Sequence, residues 1–158
     1  LDWLNGLYLR ELSDTQVVER LQGWLLNGDY LERLVPLVRQ RITRLDEFVP
    51  MTSYFFGDDA PVAAEDLIPK KHDKMSTYQV VKAITEAVDA LRTWDEPHIE
   101  ACLKAQVEVS GWKLRDLFMT VRLIVTGRKA TPGMYETMAV LGKARCQARL
   151  RAAMKSLR

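Results

Sequence analysis

An all-α fold, arranged as two consecutive helical subdomains, is what this chain of 158 residues predicts. Three observations carry that reading. Apolar residues recur at helical spacing over most of the length, and no segment sustains the strict alternation of a strand. Capping residues and glycines punctuate the periodic stretches where helices would start and stop.

Taken in order, residues 1–11 read as a short amphipathic helix ending before Ser13, which is a suitable N-cap for the next. Val17, Val18, Leu21, Trp24 and Leu25 then share one face, and Asn27-Gly28 stops that helix. Asp29 is positioned to cap a long helix with the stripe Leu31, Leu34, Val35, Val38, Ile42, Leu45 and Val49, kinked or separated in its first part by Pro36. Residues 57–74, rich in Gly, Asp, Pro and Lys, read as a linker around one short helical turn. Helices are expected near 75–92 and 96–109, the second capped by Asp95, and then from Leu114 to Val125 with Gly127 as the stop. Thr131-Pro132 has the form of an N-cap followed by a first-position proline. Gly142 separates the short helix so begun from a last basic helix, Lys143 to Leu157. The subdomains are expected to meet near residue 58.

The composition, 47% hydrophobic and 28% charged with 8 Gly and 6 Pro, is that of an ordinary globular protein and excludes low-complexity sequence. No run of 18 apolar residues is present, so no membrane partner is expected, and no basic-then-apolar leader opens the chain. A start at Leu1 rather than Met suits a fragment or a processed product. Cys102 and Cys146 cannot form a disulfide framework, and a reducing cytoplasm is the expected compartment. The two histidines, His72 and His98, lack companions at metal-ligand spacing. No G-x-S-x-G, Walker A or G-x-G-x-x-G element occurs, so the chain by itself is expected to catalyse nothing and to hold no metal or cofactor.

Charge is unevenly placed. The net +2 conceals 11 Lys/Arg against Asp116 and Glu136 alone in residues 111–158. Such a block suits a polyanion or an acidic partner surface. Within it Arg122 interrupts the most apolar run, Leu117 to Val125. A guanidinium unpaired in a core is expensive, so Arg122 either pairs internally with Asp116 or Glu136, or is braced by apolar neighbours and aimed outward at a phosphate or base. On a helical wheel Arg41 falls with Arg33 and Arg44 at the edge of the apolar stripe, its stem packed and its head free. Thr131-Pro132-Gly133-Met134 would present free backbone N–H groups at a helix start, with Gly133 allowing close approach, or would be a plain helix start after a turn.

Three stretches together resemble one family. Leu1 to Arg10 is similar to the W-x-N-G-x-Y-I-R segment of bacterial-type glutamyl-tRNA synthetases. Arg39-Gln40-Arg41-Ile42-Thr43-Arg44-Leu45-Asp46-Glu47-Phe48, with Tyr54-Phe55-Phe56, looks like the helix of their first anticodon-binding subdomain. Trp94, Arg122 to Gly127, Thr131-Pro132-Gly133, Leu141-Gly142-Lys143 and Arg149-Leu150 resemble their second. The sequence departs from the family in Thr120-Val121, where Pro-Leu is usual, in Ala144, in Leu7 and in Pro36. Lys74-Met75-Ser76 echoes the K-M-S-K-S loop of class I synthetases, but Thr77 replaces the next Lys and the segment lies on the wrong side of Asn5-Gly6.

The resemblance implies the helical anticodon-binding region of a class I glutamate–tRNA ligase, an ATP- and Mg-dependent enzyme of protein synthesis whose catalytic domain would precede Leu1. Residues 1–12 would end the stem-contact region, 13–58 form the first anticodon-binding subdomain and 59–158 the second. The implied partners are glutamate tRNA, through its anticodon loop, and the missing N-terminal catalytic domain, in a cytoplasmic monomer. Arg41 would recognise the third anticodon base as cytosine. Arg122, Thr131, Pro132, Gly133, Met134 and Lys104 would contact the anticodon loop, Arg44 would contact a phosphate, and Lys143, Arg145 and Arg149 would contact phosphates or serve as structural pairs. The competing expectations are a protein-interaction module whose basic half docks an acidic partner, and a helical support for the missing domain.

Overall fold

The computed structural model describes residues 8–57 and 60–158. They fall into two compact units, residues 1–36 and 37–158. In the first unit residues 8–11 are helical, while the rest of the expected opening piece, with Leu7 and the Asn5-Gly6 segment, lies outside the described residues. Helix α1 (Asp14–Trp24) starts in a reciprocal box: Ser13 Oγ accepts from the Gln16 amide at 3.3 Å, and Gln16 Oε1 accepts from the Ser13 amide at 2.9 Å. None of its residues is buried, and Trp24 of the expected apolar face is 62% exposed. Helix α2 (Gly28–Val38) is capped by Asn27, whose Oδ1 accepts from the Tyr30 amide at 3.2 Å. Asp29 is therefore a first-turn acid and not the cap.

The long helix expected through Val49 does not form. It passes Pro36, where no N–H is available for the Glu32 carbonyl, and ends at Val38. The Arg41 and Ile42 amides both return to the Val38 carbonyl, at 2.8 and 3.2 Å. Glu47 then takes the amides of Thr43 and Arg44, at 2.7 and 3.3 Å. This local capping competes with helix continuation and wins. A 3-10 turn (Leu45–Glu47), helix α3 (Phe48–Thr52) and a second 3-10 turn (Ser53–Phe55) follow. Leu45, an expected stripe residue, is consequently 87% exposed.

The larger unit is built on α4 (Lys74–Ala90), α5 (Glu96–Ser110), α6 (Leu114–Thr126), α7 (Met134–Leu141) and α8 (Lys143–Ser156). Helix α4 packs on α5 and α8, α7 on α5 and α8, and α6 on α8, around Val81, Ile84, Leu103, Leu117, Val121, Met138 and Leu150. The expected helix limits hold here to within a residue or two, because each is set by local chemistry. Asp73 Oδ1 accepts from the Ser76 amide at 2.7 Å and Asp95 Oδ1 from the His98 amide at 3.0 Å. Lys74-Met75-Ser76 is thus the first turn of a capped helix and not a loop. Gly127 closes α6 in the left-handed region (φ 70°), its amide bonded to the Leu123 carbonyl at 2.8 Å.

The two departures inside this unit explain themselves. Thr120 stands in an unbroken helix and sends its hydroxyl to the Leu67 carbonyl at 3.1 Å, tying α6 to the short 3-10 turn Ala64–Leu67. Helix α7 begins two residues later than Thr131-Pro132 suggested. Gly133 takes the cap position, the Thr137 amide returns to its carbonyl at 2.9 Å, and the Glu136 side chain folds back into the space a Cβ on Gly133 would need. Trp94 anchors the same helix from outside, its indole N–H donating to the Met138 carbonyl at 3.0 Å. No strand occurs among the described residues.

Candidate nucleic-acid interface

Within the larger unit, two segments remote in sequence form an open cavity of about 600 Å³. Arg41, Asp46, Glu47, Pro50 and Met51 line it from the segment after α2. Arg128, Ala130, Thr131 and Pro132 line it from the loop between α6 and α7. Their juxtaposition depends on guanidinium groups that reach backbone carbonyls. Arg149 on α8, 4% exposed, donates to the carbonyls of Val125, of Tyr54 at 2.7 Å and of Gly57 at 2.6 Å. One turn earlier Arg145 donates to the Phe55 carbonyl at 2.7 Å. The Ser53–Gly57 segment is therefore held from α8, and its hydroxyl and ring in turn hold Arg128. Arg128 Nη2 donates to Ser53 Oγ at 2.8 Å, and its Cζ lies 5.3 Å from the centre of the Tyr54 ring.

Electrostatically the cavity leans positive, although two acids line it. Asp46 is paired with Arg44 at 2.6 Å. Glu47 is taken up by the Thr43 and Arg44 amides, which hold its carboxyl below the usual carboxylate range. The Arg41 guanidinium makes no hydrogen bond or ion pair among the described residues, and its side chain is exposed. Burial pushes the Tyr54 phenol up, while the nearby charges of Arg128, Arg41 and Arg122 pull it down. Arg41 from the turn after α2, and Arg122 and Arg128 from α6 and the loop after it, thus act on one ring.

The structure brings Arg41, Thr131 and Pro132 into one cavity, although Arg41 stands in a turn and not on the helical stripe from which it was first read. Arg122 is half-buried, and the internal pair with Asp116 or Glu136 is not formed. Asp116 faces His72 Nε2 at 4.0 Å, Glu136 covers Gly133, and Arg122 Nε is buried with no hydrogen-bond partner. Gly133 is exposed, but the Met134 side chain is core, at 5% exposure, and offers no surface to a base. Lys104 is paired with Glu100 at 2.7 Å, whose hydrogen bond and charge raise the ammonium pKa.

The expected phosphate contacts need correction. Arg149 is buried under carbonyls and cannot meet a phosphate. Lys143 Nζ closes the end of α4 through the carbonyls of Asp89 and Leu91, at 3.0 and 2.5 Å. Arg145 is tied to Phe55 and Arg44 to Asp46. Lys143, Arg145 and Arg149 thus hold backbone carbonyls, while Arg44 stays exposed in a surface pair. Sequence reasoning missed Arg128 and Tyr54. A cation placed between a glycine stop and a Thr-Pro loop was the available signal for Arg128, whereas Tyr54 stood in the Tyr54-Phe55-Phe56 stretch without a role at the site.

No group of three His, Cys, Asp or Glu that could hold a metal occurs among the described residues. His72 stacks on Trp112, with ring centres 3.8 Å apart, and His98 Nδ1 pairs with Asp95 at 2.6 Å. Burial pushes the Cys146 thiol up to about 12, and it raises that of half-buried Cys102 as well.

Fold and cavity together define a class, an all-helical module that offers guanidinium donors and a proline loop at an open surface. The chain belongs to the anticodon binding domain family, which matches residues 16–154. Among its relatives, the glutamate–tRNA ligase of Chloroflexus aurantiacus is 34% identical, over 98% of this chain and 34% of the relative. That of Stutzerimonas stutzeri is 31% identical, over 99% of this chain and 32% of the relative. The solved structure of a glutamate tRNA ligase from Elizabethkingia meningosepticum, in complex with its amino acid, shares the fold. Its TM-score is 0.68 at 20% identity, covering 99% of this chain and 32% of that one. The chain spans about a third of the length of the curated relatives it matches.

Proposed function

We propose that this chain is the anticodon-loop-binding module of a bacterial-type glutamate–tRNA ligase, the enzyme that attaches glutamate to its tRNA using ATP. The observation that carries the proposal is the cavity that gathers Arg41, Thr131 and Pro132. In this reading residues 1–12 end the stem-contact region, 13–58 form the first anticodon-binding subdomain and 59–158 the second. The module works in the cytoplasm as part of a monomer, joined to a catalytic domain. No helix of the described residues is long and apolar enough to cross a membrane. In this reading ATP and Mg belong to the parent enzyme's catalytic part, and no group of three His, Cys, Asp or Glu that could hold a metal occurs among the described residues.

Arg41 is the reader of the third anticodon base. Cytosine presents two acceptors beside its amino donor, and a guanidinium only donates. Guanine at that place opposes N–H to N–H and leaves the charge unpaired, which disfavours the wrong tRNA. The half-buried Arg122 and the exposed backbone around Gly133 contact the neighbouring bases. The acidic-partner alternative is disfavoured by the basic C-terminal helix itself. Lys143, Arg145 and Arg149 hold backbone carbonyls, and Arg151 pairs with Asp89 at 2.9 Å. Titrating the chain with glutamate tRNA transcripts, alone and against polyglutamate, tests this. Binding that polyglutamate does not displace is expected, and displacement at matched charge would overturn it.

A further inference from the structure

Resting on that reading, we propose that Arg128 contacts an RNA phosphate in the same cavity and fixes the backbone beside the base that Arg41 reads. Its main chain is rigid. Gly127 turns the chain out of α6, and Thr126 Oγ1 accepts from the Arg128 amide at 3.1 Å and bonds its carbonyl at 3.4 Å. Its head is held as firmly, by Ser53 Oγ at 2.8 Å and by the face of the Tyr54 ring. A hydroxyl and a ring face orient a guanidinium without neutralising it. No carboxylate lies within ion-pair distance of Arg128 among the described residues, and the two acids of the cavity are engaged elsewhere.

A pre-positioned full charge with most of its donors open is suited to a phosphodiester oxygen. It is less suited to reading a base, which needs both terminal nitrogens presented together, since Nη2 is already tied to Ser53. The division of labour is the usual one, in which phosphate contacts position and base contacts specify. Arg128 is thus a positioning cation and Arg41 the specifying one.

The test titrates the wild-type chain, Arg128→Gln, Arg128→Lys and Ser53→Ala with two glutamate tRNA transcripts differing only in cytosine or guanine at the third anticodon position. Salt is varied from about 50 to 200 mM, where phosphate contacts show in the slope. Arg128→Gln should weaken both transcripts by about ten-fold, keep their ratio, and shrink the log–log salt slope by about 0.7, the value for one contact to a single strand. Arg128→Lys should keep the slope, and Ser53→Ala should weaken binding with the slope kept. A changed ratio in Arg128→Gln would make Arg128 a base reader and overturn the proposal, as would unchanged affinity and slope. If Arg128→Gln fails to fold, a reduced slope in Arg128→Lys overturns it instead. Should the wild type bind neither transcript, the anticodon-binding reading itself falls, which is a separate result.

Discussion

Replacing Arg149 by Met should cost about 3 kcal/mol of stability. The arginine is 4% exposed and donates to three carbonyls, those of Val125, Tyr54 and Gly57. Methionine replaces the apolar stem, stops short of the guanidinium head and donates nothing. The Val125 and Tyr54 carbonyls lie in buried surroundings, and stranding each costs about 1–3 kcal/mol. Gly57 is closer to solvent, where water can replace the donor, so it adds little. Against this, Met avoids the desolvation of a guanidinium, which recovers part of the loss. Urea unfolding followed by the helical signal gives the difference as a shift in midpoint at constant slope. Arg149→Lys, able to serve one carbonyl, should fall between. Because Tyr54 and Gly57 belong to the segment that carries the cavity wall, tRNA affinity should drop at temperatures where the variant is still folded. A loss below about 1 kcal/mol would refute the claim that Arg149 joins these segments.

Other outcomes follow from the same geometry. Arg41→Gln in the full-length parent should leave the melting temperature unchanged, since the side chain is exposed. It should shrink the cytosine-to-guanine ratio in charging kinetics by about ten-fold, and an unchanged ratio would make Arg41 an ordinary surface arginine. Thr120→Val keeps the shape but strands the Leu67 carbonyl, and should cost about 1–2 kcal/mol in the same urea assay. Cys146, with its thiol pushed to about 12, should not react with a disulfide reagent at pH 8 until the protein unfolds, while half-buried Cys102 reacts slowly. The Asp95 carboxyl is held below 3.8 by the His98 amide and ring, so its capping contribution is complete above that pH and disappears as pH falls through the lowered value. The stability gap between wild type and Asp95→Ala should therefore be flat above about pH 5 and close in stronger acid.

How much of this was legible in the sequence depends on where the deciding interaction lies. Helices whose ends are set by neighbours one to four residues away were readable. Asp95 with His98, Gly127 with Leu123, and Gly142 before Lys143 each place a boundary from local chemistry alone. The stretch after α2 was not readable by periodicity, because Leu31 to Val49 keeps helical spacing across a break. The helix ends two residues past Pro36, and Glu47 caps Thr43 and Arg44 beyond it, and the apolar pattern is silent about both. Thr131-Pro132 misled for a related reason. The pair has the form of a helix start, yet Gly133 takes the cap position two residues on, with the Thr137 amide returning to its carbonyl.

The arginines show why a site residue is harder to read than a helix. Arg41, Arg128 and Arg149 carry the same group, and the sequence left Arg149 as either a phosphate contact or a structural pair. The structure gives it the second role. Arg149 is buried because three carbonyls from segments up to 95 positions away converge on it. Arg128 is oriented by a hydroxyl and a ring that leave its charge intact, and Arg41 is left exposed by a turn that ends its helix early. Local charge density therefore counted Arg145 and Arg149 as available for phosphate, when carbonyls had already claimed their donors. What separates a structural arginine from an available one here is which partners the tertiary fold brings within 3 Å, and that is set by the packing of α8 beneath the Ser53–Gly57 segment. Three cations of the basic block, Lys143, Arg145 and Arg149, thus brace the fold through carbonyls, while Arg128 keeps its charge at the cavity beside Arg41.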